Sequence, residues 1–91
     1  MTDTPSAYLR LAPVLDLKAA TALAGDILAL RGRDLTIDAA QVRRIGAQCL
    51  QVLLAARSTW MADGLRLSFA EVSDDFREGV ALLGAGDLVG A

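Results

Sequence analysis

The chain has 91 residues, a formal net charge of −2, no histidine and one cysteine, and 54% of its residues are hydrophobic whereas only 4% are aromatic. This length fits one small domain, and the composition excludes an intrinsically disordered chain. Without histidine, the chain lacks the usual general base, the commonest zinc ligand and any Ser-His or Cys-His nucleophile.

The distribution of charge and of apolar residues limits the partners. The lysines and arginines are scattered, which argues against nucleic acid because phosphate binding needs a concentrated positive surface. No apolar run approaches the roughly 20 residues of a membrane span, and residues 1–5 lack a signal-peptide pattern. We therefore expect a cytoplasmic protein without direct membrane insertion, and the single cysteine agrees with a reducing compartment.

The first elements are a strand and a helix. Residues 8–11 alternate and are followed by Pro13, which predicts a short strand that ends before a turn. From Asp16, a helix-capping residue type, apolar residues recur at helical spacing. This pattern predicts a helix over residues 17–31 with Gly32 as its C-terminal stop.

A strand and a second helix follow. Residues 35–38 are β-rich and alternate, and Asp38 lies at the carboxyl end of this strand, where open α/β sheets tend to place functional residues. The polar connector 41–44 then leads into a long apolar run over residues 46–62. A strand feeding a helix through a short connection is typical of a largely parallel or mixed sheet.

The apolar arc of the second helix is wider than one packed face requires. At about 100° per residue, one central face carries Cys49, Val52, Leu53, Ala56 and Trp60. Three apolar residues lie beside this face and are called the shoulder: Leu50, Leu54 and Met61. The full arc spans about 200°, against about 100° for a helix packed on one side. The shoulder is therefore either a partner surface or covered by the terminal segment or a neighbouring helix.

The last third of the chain predicts a third strand and a third helix. Asp63-Gly64 ends the second helix, and residues 65–70 alternate as a strand. Ser73 is predicted to cap the next helix, supported by acidic residues in its first turn. Its expected buried stripe is Phe76, Val80 and Leu83.

Two glycines affect the last helix, and the sequence predicts little regular structure at the ends of the chain. Gly84 is predicted to end the helix, and Gly79 is predicted to weaken it. We expect one domain over residues 1–91 with a core over about 8–84. The ends, residues 1–6 and 85–91, are expected to be flexible, and the tail could add one short element.

The central segment of the chain resembles a known family. An acidic strand end at Asp38, a connector with Val42 and Ile45, a helix start built of small residues, and the aliphatic run 50–56 together resemble the central motif of STAS domains, the anti-sigma-factor antagonists and their relatives. The resemblance covers about residues 9–83. It implies a small α/β fold with a mixed, mostly parallel sheet of about four strands and three to four helices mainly on one face.

The chain departs from the family motif at its phosphorylation site. Where the family has Asp-Ser-Ser-Gly, this sequence has Gly46-Ala47-Gln48-Cys49. Ala47 occupies the position of the regulatory phosphoserine and has no hydroxyl group. The resemblance therefore implies no phosphorylation at residue 47, while the fold and the use of this helix as a protein-binding surface carry over.

The resemblance implies a non-enzymatic interaction module in bacterial signalling or chemotaxis. The expected partner is a signalling kinase, an anti-sigma factor or a chemotaxis component, and a homodimer is a further expectation. The alternative is the STAS subunit of a lipid-transport ABC complex that binds and stabilises the ATPase. We expect no catalytic residue, cofactor or metal. The candidate partner-binding residues are Arg44, Gly46, Ala47, Gln48, Leu50, Gln51 and Leu54.

Three features of this segment each have two possible interpretations. Cys49 lies in the first helical turn, where a thiol can become reactive, but it shares the central face and is better explained as a packing residue. The helix start at Gly46 could bind an anion, although no Gly-rich phosphate-binding spacing is present. Arg43 and Arg44 could steer an acidic partner toward the helix or form an ordinary solvated pair.

Overall fold

Five strands, three α-helices and a terminal 3₁₀ helix make up residues 6–89, the part of the chain that the computed structural model describes. In chain order they are β1 Ser6–Arg10, β2 Val14–Leu15, α1 Leu17–Ala29, β3 Asp34–Ala39, β4 Arg44–Ile45, α2 Ala47–Ala62, β5 Leu67–Val72, α3 Asp74–Leu82 and the 3₁₀ helix Gly86–Val89. Every predicted strand and helix is present within a few residues of its expected bounds.

The strands form two parallel sheets. The larger sheet has the order β1-β3-β5, and β2 pairs with β4 in a two-residue ladder. The predicted α/β class is confirmed, although the described strands number five and all pair in parallel. The small ladder replaces part of the predicted connector, because the Pro13 carbonyl accepts from the Arg43 N–H at 2.7 Å and the Leu15 carbonyl from the Gly46 N–H at 2.9 Å.

The two faces of the larger sheet differ in polarity. In the shared register, Leu9, Ile37 and Phe69 lie side by side and point to the same face, where Ile37 is fully buried. The neighbouring row is Tyr8, Thr36 and Ser68, on the opposite face. The apolar face is therefore the one that the helices cover, and none of the helices described in residues 6–89 covers the polar face.

The predicted helix caps are confirmed. The Asp16 side chain accepts from the Ala19 N–H at 3.1 Å, and the Ser73 hydroxyl accepts from the Phe76 N–H at 3.0 Å. The Ser73 hydroxyl also donates to the Val42 carbonyl at 2.6 Å. One residue thus caps α3 and ties it to the segment between β3 and β4.

The end of α3 corrects one prediction. Phe76 and Val80 are buried as expected, but Leu83 is 44% exposed because α3 ends at Leu82 and Leu83 begins the turn. Ala85 and Leu88 are buried instead, so the core continues beyond residue 84 into the terminal 3₁₀ helix. The remaining residues of the ends expected to be flexible, 1–5 and 90–91, lie outside the described residues.

Gly79 permits a close approach between α3 and β4. A Cβ atom at Gly79 would lie 2.7 Å from the Cγ2 atom of Ile45, which is closer than side chains pack. Ile45 is itself a buried residue with a branched side chain, so it has little room to move. The glycine that weakens α3 as a helix is therefore required by its packing.

We predict that Gly79→Ala destabilises the protein, although the same change stabilises an unhindered helix by up to about 1 kcal/mol. Overpacking against Ile45 costs about 1–3 kcal/mol, which outweighs the gain in helix propensity. Urea unfolding measures the difference. Gly25→Ala in α1 is the matched control, because no atom lies within 4 Å of its added Cβ, and it is expected to stabilise. Stabilisation by Gly79→Ala would contradict the packing constraint.

Candidate partner-binding surface

The start of α2 is exposed and lies directly after the short strand β4. Gly46 is the N-cap in an extended conformation and provides no side-chain hydrogen bond to the helix. Ala47 and Gln48 are exposed, as are Arg43 and Arg44 on the connector. Ala47 is therefore at the surface, where its side chain presents only a methyl group.

The central face of α2 is buried as predicted. Cys49, Leu53, Ala56 and Trp60 are all at most 5% exposed, whereas Val52 is half-buried. The Trp60 indole N–H donates to the Arg33 carbonyl at 2.7 Å, just before β3 begins. This bond holds the C-terminal half of α2 against the connection between α1 and β3.

The three residues of the shoulder differ in their exposure to solvent. Leu50 is only 4% exposed and belongs to the core, so its prediction as a surface contact is wrong. Leu54 is half-buried, and Met61 is 71% exposed. The terminal segment lies on this side of α2, since Arg57, two turns after Leu50, contacts Asp87 of the 3₁₀ helix at 3.7 Å.

The exposed face of α2 carries no charged side chain. Its exposed residues are Ala47, Gln48, Gln51, Ala55, Ser58, Met61 and Ala62. Among the 16 residues of α2 only Arg57, which is half-buried, is charged, whereas four of the nine residues of α3 are charged. Solvent-facing helix surfaces are usually charged, and the centres of protein interfaces are depleted of charge.

Six of the seven candidate partner-binding residues therefore lie together at or near the surface, and one is buried. Arg44 and Gly46 lie immediately before α2, Ala47, Gln48 and Gln51 are exposed in its first two turns, and Leu54 follows one turn later. These positions are contiguous along one end of the helix. The seventh candidate, Leu50, faces the interior.

Cys49 is a buried packing residue. Its side chain is fully buried and its thiol donates to the Asp16 carbonyl, with 3.3 Å between sulfur and oxygen. Burial raises the pKa of the Cys49 thiol, and the nearby Asp16 carboxylate raises it further. Both effects oppose formation of the reactive thiolate.

Asp38 is part of a cluster that sequence reasoning did not assemble. The Tyr8 hydroxyl donates to its Oδ2 atom, the Ala40 N–H donates to its Oδ1 atom at 2.9 Å, and the Arg10 Nε atom lies 3.6 Å from Oδ2. These bonds to Tyr8 and Ala40, with the charge of Arg10, lower the pKa of Asp38 and outweigh its burial. Arg10 and Asp38 lie opposite each other in the paired strands β1 and β3. Their contact could therefore be predicted only after the pairing of these strands was known.

Asp38 thus has partners for its charge and lies on the open face of the sheet. Within residues 6–89, no group of three or more histidine, cysteine or acidic side chains could hold a metal ion. Over the same range, none of the helices is both long enough and apolar enough to cross a membrane.

We predict that Tyr8→Phe lowers stability at neutral pH and that the loss shrinks on acidification. The folded pKa of Asp38 lies below its unfolded value of about 4, so its bonds stabilise the fold above that value. That stabilisation disappears as the pH falls through the folded pKa. Chemical unfolding of both proteins between neutral pH and about pH 3 tests this. A difference that stays constant over this range would mean that the hydroxyl does not bind the charged carboxylate.

We predict that Cys49 reacts with a thiol-specific reagent only when the protein unfolds. Its side chain is inaccessible and its pKa is raised, so labelling in native buffer should be far slower than in denaturant. The time course of labelling, followed by mass spectrometry, measures the ratio. Equal rates in both conditions would show that the first turn of α2 opens readily.

Comparison with known proteins identifies the family. The family model described as "Mlab, STAS domain" matches residues 2–90, nearly the whole chain. No curated protein and no solved structure matches the chain. A domain model that covers this range, together with the parallel α/β fold and the position of α2 after β3, shows that the chain belongs to the STAS domain family.

Proposed function

We propose that this STAS domain is a non-enzymatic module that binds a protein partner through the exposed face of α2 and the connector before it. STAS domains commonly mediate protein–protein interactions. The observation that carries the proposal is the uncharged exposed face of a 16-residue helix in a chain with 22% charged residues. Removing water from an uncharged face costs little free energy, and the centre of an interface must lose its water on binding.

The surroundings of this face fit the usual plan of an interface. Ala47 and the half-buried Leu54 provide an apolar centre, and Gln48 and Gln51 offer amide groups beside it. Arg44 adds a positive charge at the edge, where exposed charges mainly guide association. This arrangement favours a partner whose contact surface is apolar at its centre and acidic at its rim.

We propose that binding is not switched by phosphorylation at residue 47. Ala47 is exposed at the start of α2 but has no hydroxyl group to accept a phosphoryl group. A phosphoryl group on residue 47 therefore cannot serve as the switch of binding.

Two classes of partner suit this role. The first is a component of bacterial cytoplasmic signalling, such as a kinase, an anti-sigma factor or a chemotaxis protein. The second is the ATPase of a lipid-transport ABC complex, with this chain as a structural subunit. Ala47 suits both classes, because neither a constitutive signalling contact nor a structural subunit needs a hydroxyl group at this position.

We predict that Ala47→Glu weakens partner binding without unfolding the protein. An acidic residue in the first turn of a helix is stabilising by about 0.3–1 kcal/mol, so the melting temperature should stay equal or rise. The same charge placed at the centre of the interface should weaken binding at least about tenfold, since an unpaired charge would be buried. The measurement is affinity capture from the source cells, followed by titration of the identified partner.

The control is Ala81→Glu, the same change at an exposed position of α3. It should bind the partner like the unaltered protein. Identification of an ATPase or of a signalling protein among the captured partners decides between the two classes. Equal binding of the partner by Ala47→Glu would contradict the proposed surface.

A further inference from the structure

The outer edge of β1 has unpaired backbone groups. β1 lies at the end of the sheet order, and within the described residues 6–89 it pairs with β3 alone. The Leu11 N–H donates to the Asp38 carbonyl at 2.9 Å, so by alternation Ala7 and Leu9 also point their backbone groups at β3. The N–H and C=O groups of Ser6, Tyr8 and Arg10 therefore point away, and among residues 6–89 no strand accepts them. Such an edge is a template for another strand.

This edge is complementary to itself. A two-fold axis perpendicular to the sheet would place β1 of a second copy antiparallel to the first. Centred on Tyr8, the pairing sets Arg10 opposite Ser6 of the second copy, so no like charges face each other. On the apolar face, the half-buried Leu9 would lie opposite the small Ala7.

The flank of α1 beside β1 is complementary under the same symmetry. A groove of about 140 Å³ separates β1 from α1, and Leu9, Ala22 and Asp26 are among the residues that line it. Lys18, Ala22 and Asp26 are exposed and spaced by four residues, so they form one stripe along α1. In an antiparallel pair of α1 helices centred on Ala22, Lys18 of each copy faces Asp26 of the other.

The charges of this stripe have no ion-pair partner in the part of the chain that the structure describes. Among residues 6–89, the ion pairs join Arg10 to Asp38, Arg31 to Asp63 and Arg57 to Asp87, so Lys18 and Asp26 take part in none. Leu9 and Ala22 line the same groove, which places the centres of the strand pairing and of the helix pairing beside one another.

We propose that the partner of the β1 edge is a second copy of this chain. Two copies pair antiparallel through β1 to form one six-stranded sheet, and their α1 helices lie side by side with two Lys18–Asp26 pairs between them. Ala22 is small enough to let the helices approach at the centre. This interface does not include the exposed face of α2, so it leaves the proposed partner surface free.

The charge stripe allows a reversal and rescue experiment. Lys18→Asp sets aspartate against Asp26, and Asp26→Lys sets lysine against Lys18, in both cases twice per dimer. Both changes put the charge that a helix end prefers near that end of α1, so folding should persist. Analytical ultracentrifugation of the full chain from micromolar to millimolar concentration measures the dimer dissociation constant. Each single variant should raise it at least about tenfold, and the double variant should restore it to within about threefold.

The backbone pairing has its own variant. Ser6→Pro removes an N–H that points away from β3, and proline is tolerated at the first residue of an edge strand. It should weaken the dimer while the circular dichroism spectrum stays native.

Three results would overturn the proposal. They are a monomer throughout the concentration range, a dimer that both single reversals leave unchanged, and a double variant that fails to recover although it is folded. The dimer measurement is separate from partner binding. Ala47→Glu is expected to leave the dimer intact, and Lys18→Asp is expected to leave partner capture intact, so either proposal can fail without the other.

Discussion

The burial of a wide apolar arc on α2 is the constraint on which the rest of the structure depends. Cys49, Leu53 and Trp60 face the interior, and Leu50 extends the buried arc toward the terminal segment. The bond from the Trp60 indole to the Arg33 carbonyl fixes the far end of the helix at the beginning of β3. Because so much of α2 is covered, only one face remains exposed, and that face has no charge. The proposed binding surface is thus what the core leaves uncovered.

The start of α2 is held by short contacts from several directions. The Leu15 carbonyl accepts from Gly46, so β2 fixes the residue that caps the helix. On the other side, α3 packs against β4 through the close approach of Gly79 to Ile45, and Ser73 ties α3 to Val42. A surface supported in this way binds without the cost of ordering a loop, which favours affinity. Such support fits a binding site that is always available.

The Asp38 carboxylate and the outward backbone groups of β1 are polar groups of the same sheet that differ in their partners. Asp38 lies at the carboxyl end of a strand, where α/β proteins often place functional residues, but Tyr8, Arg10 and Ala40 satisfy its charge and hydrogen bonding. Its role is to join β1 to β3. No strand among residues 6–89 pairs with the outward backbone groups of β1, and proteins usually protect a free edge strand. In the proposed dimer, the β1 strand of each copy covers the β1 edge of the other.

The sequence by itself determined the three helices and the three longer strands in their order, the caps Asp16 and Ser73, and the buried character of Cys49. These depend on periodicity and on residue types within one turn. It also carried the family resemblance, and it places an alanine, which has no hydroxyl group, at residue 47. Only the tertiary structure decided that Leu50 is core, that two-residue strands β2 and β4 pair, and that Gly79 is needed at a contact. A periodic pattern shows how wide an apolar arc is, but distant segments determine which part of it they cover. Strands of two residues have no period to detect, and the pairing of Tyr8 with Asp38 arises from the register of strands 30 residues apart.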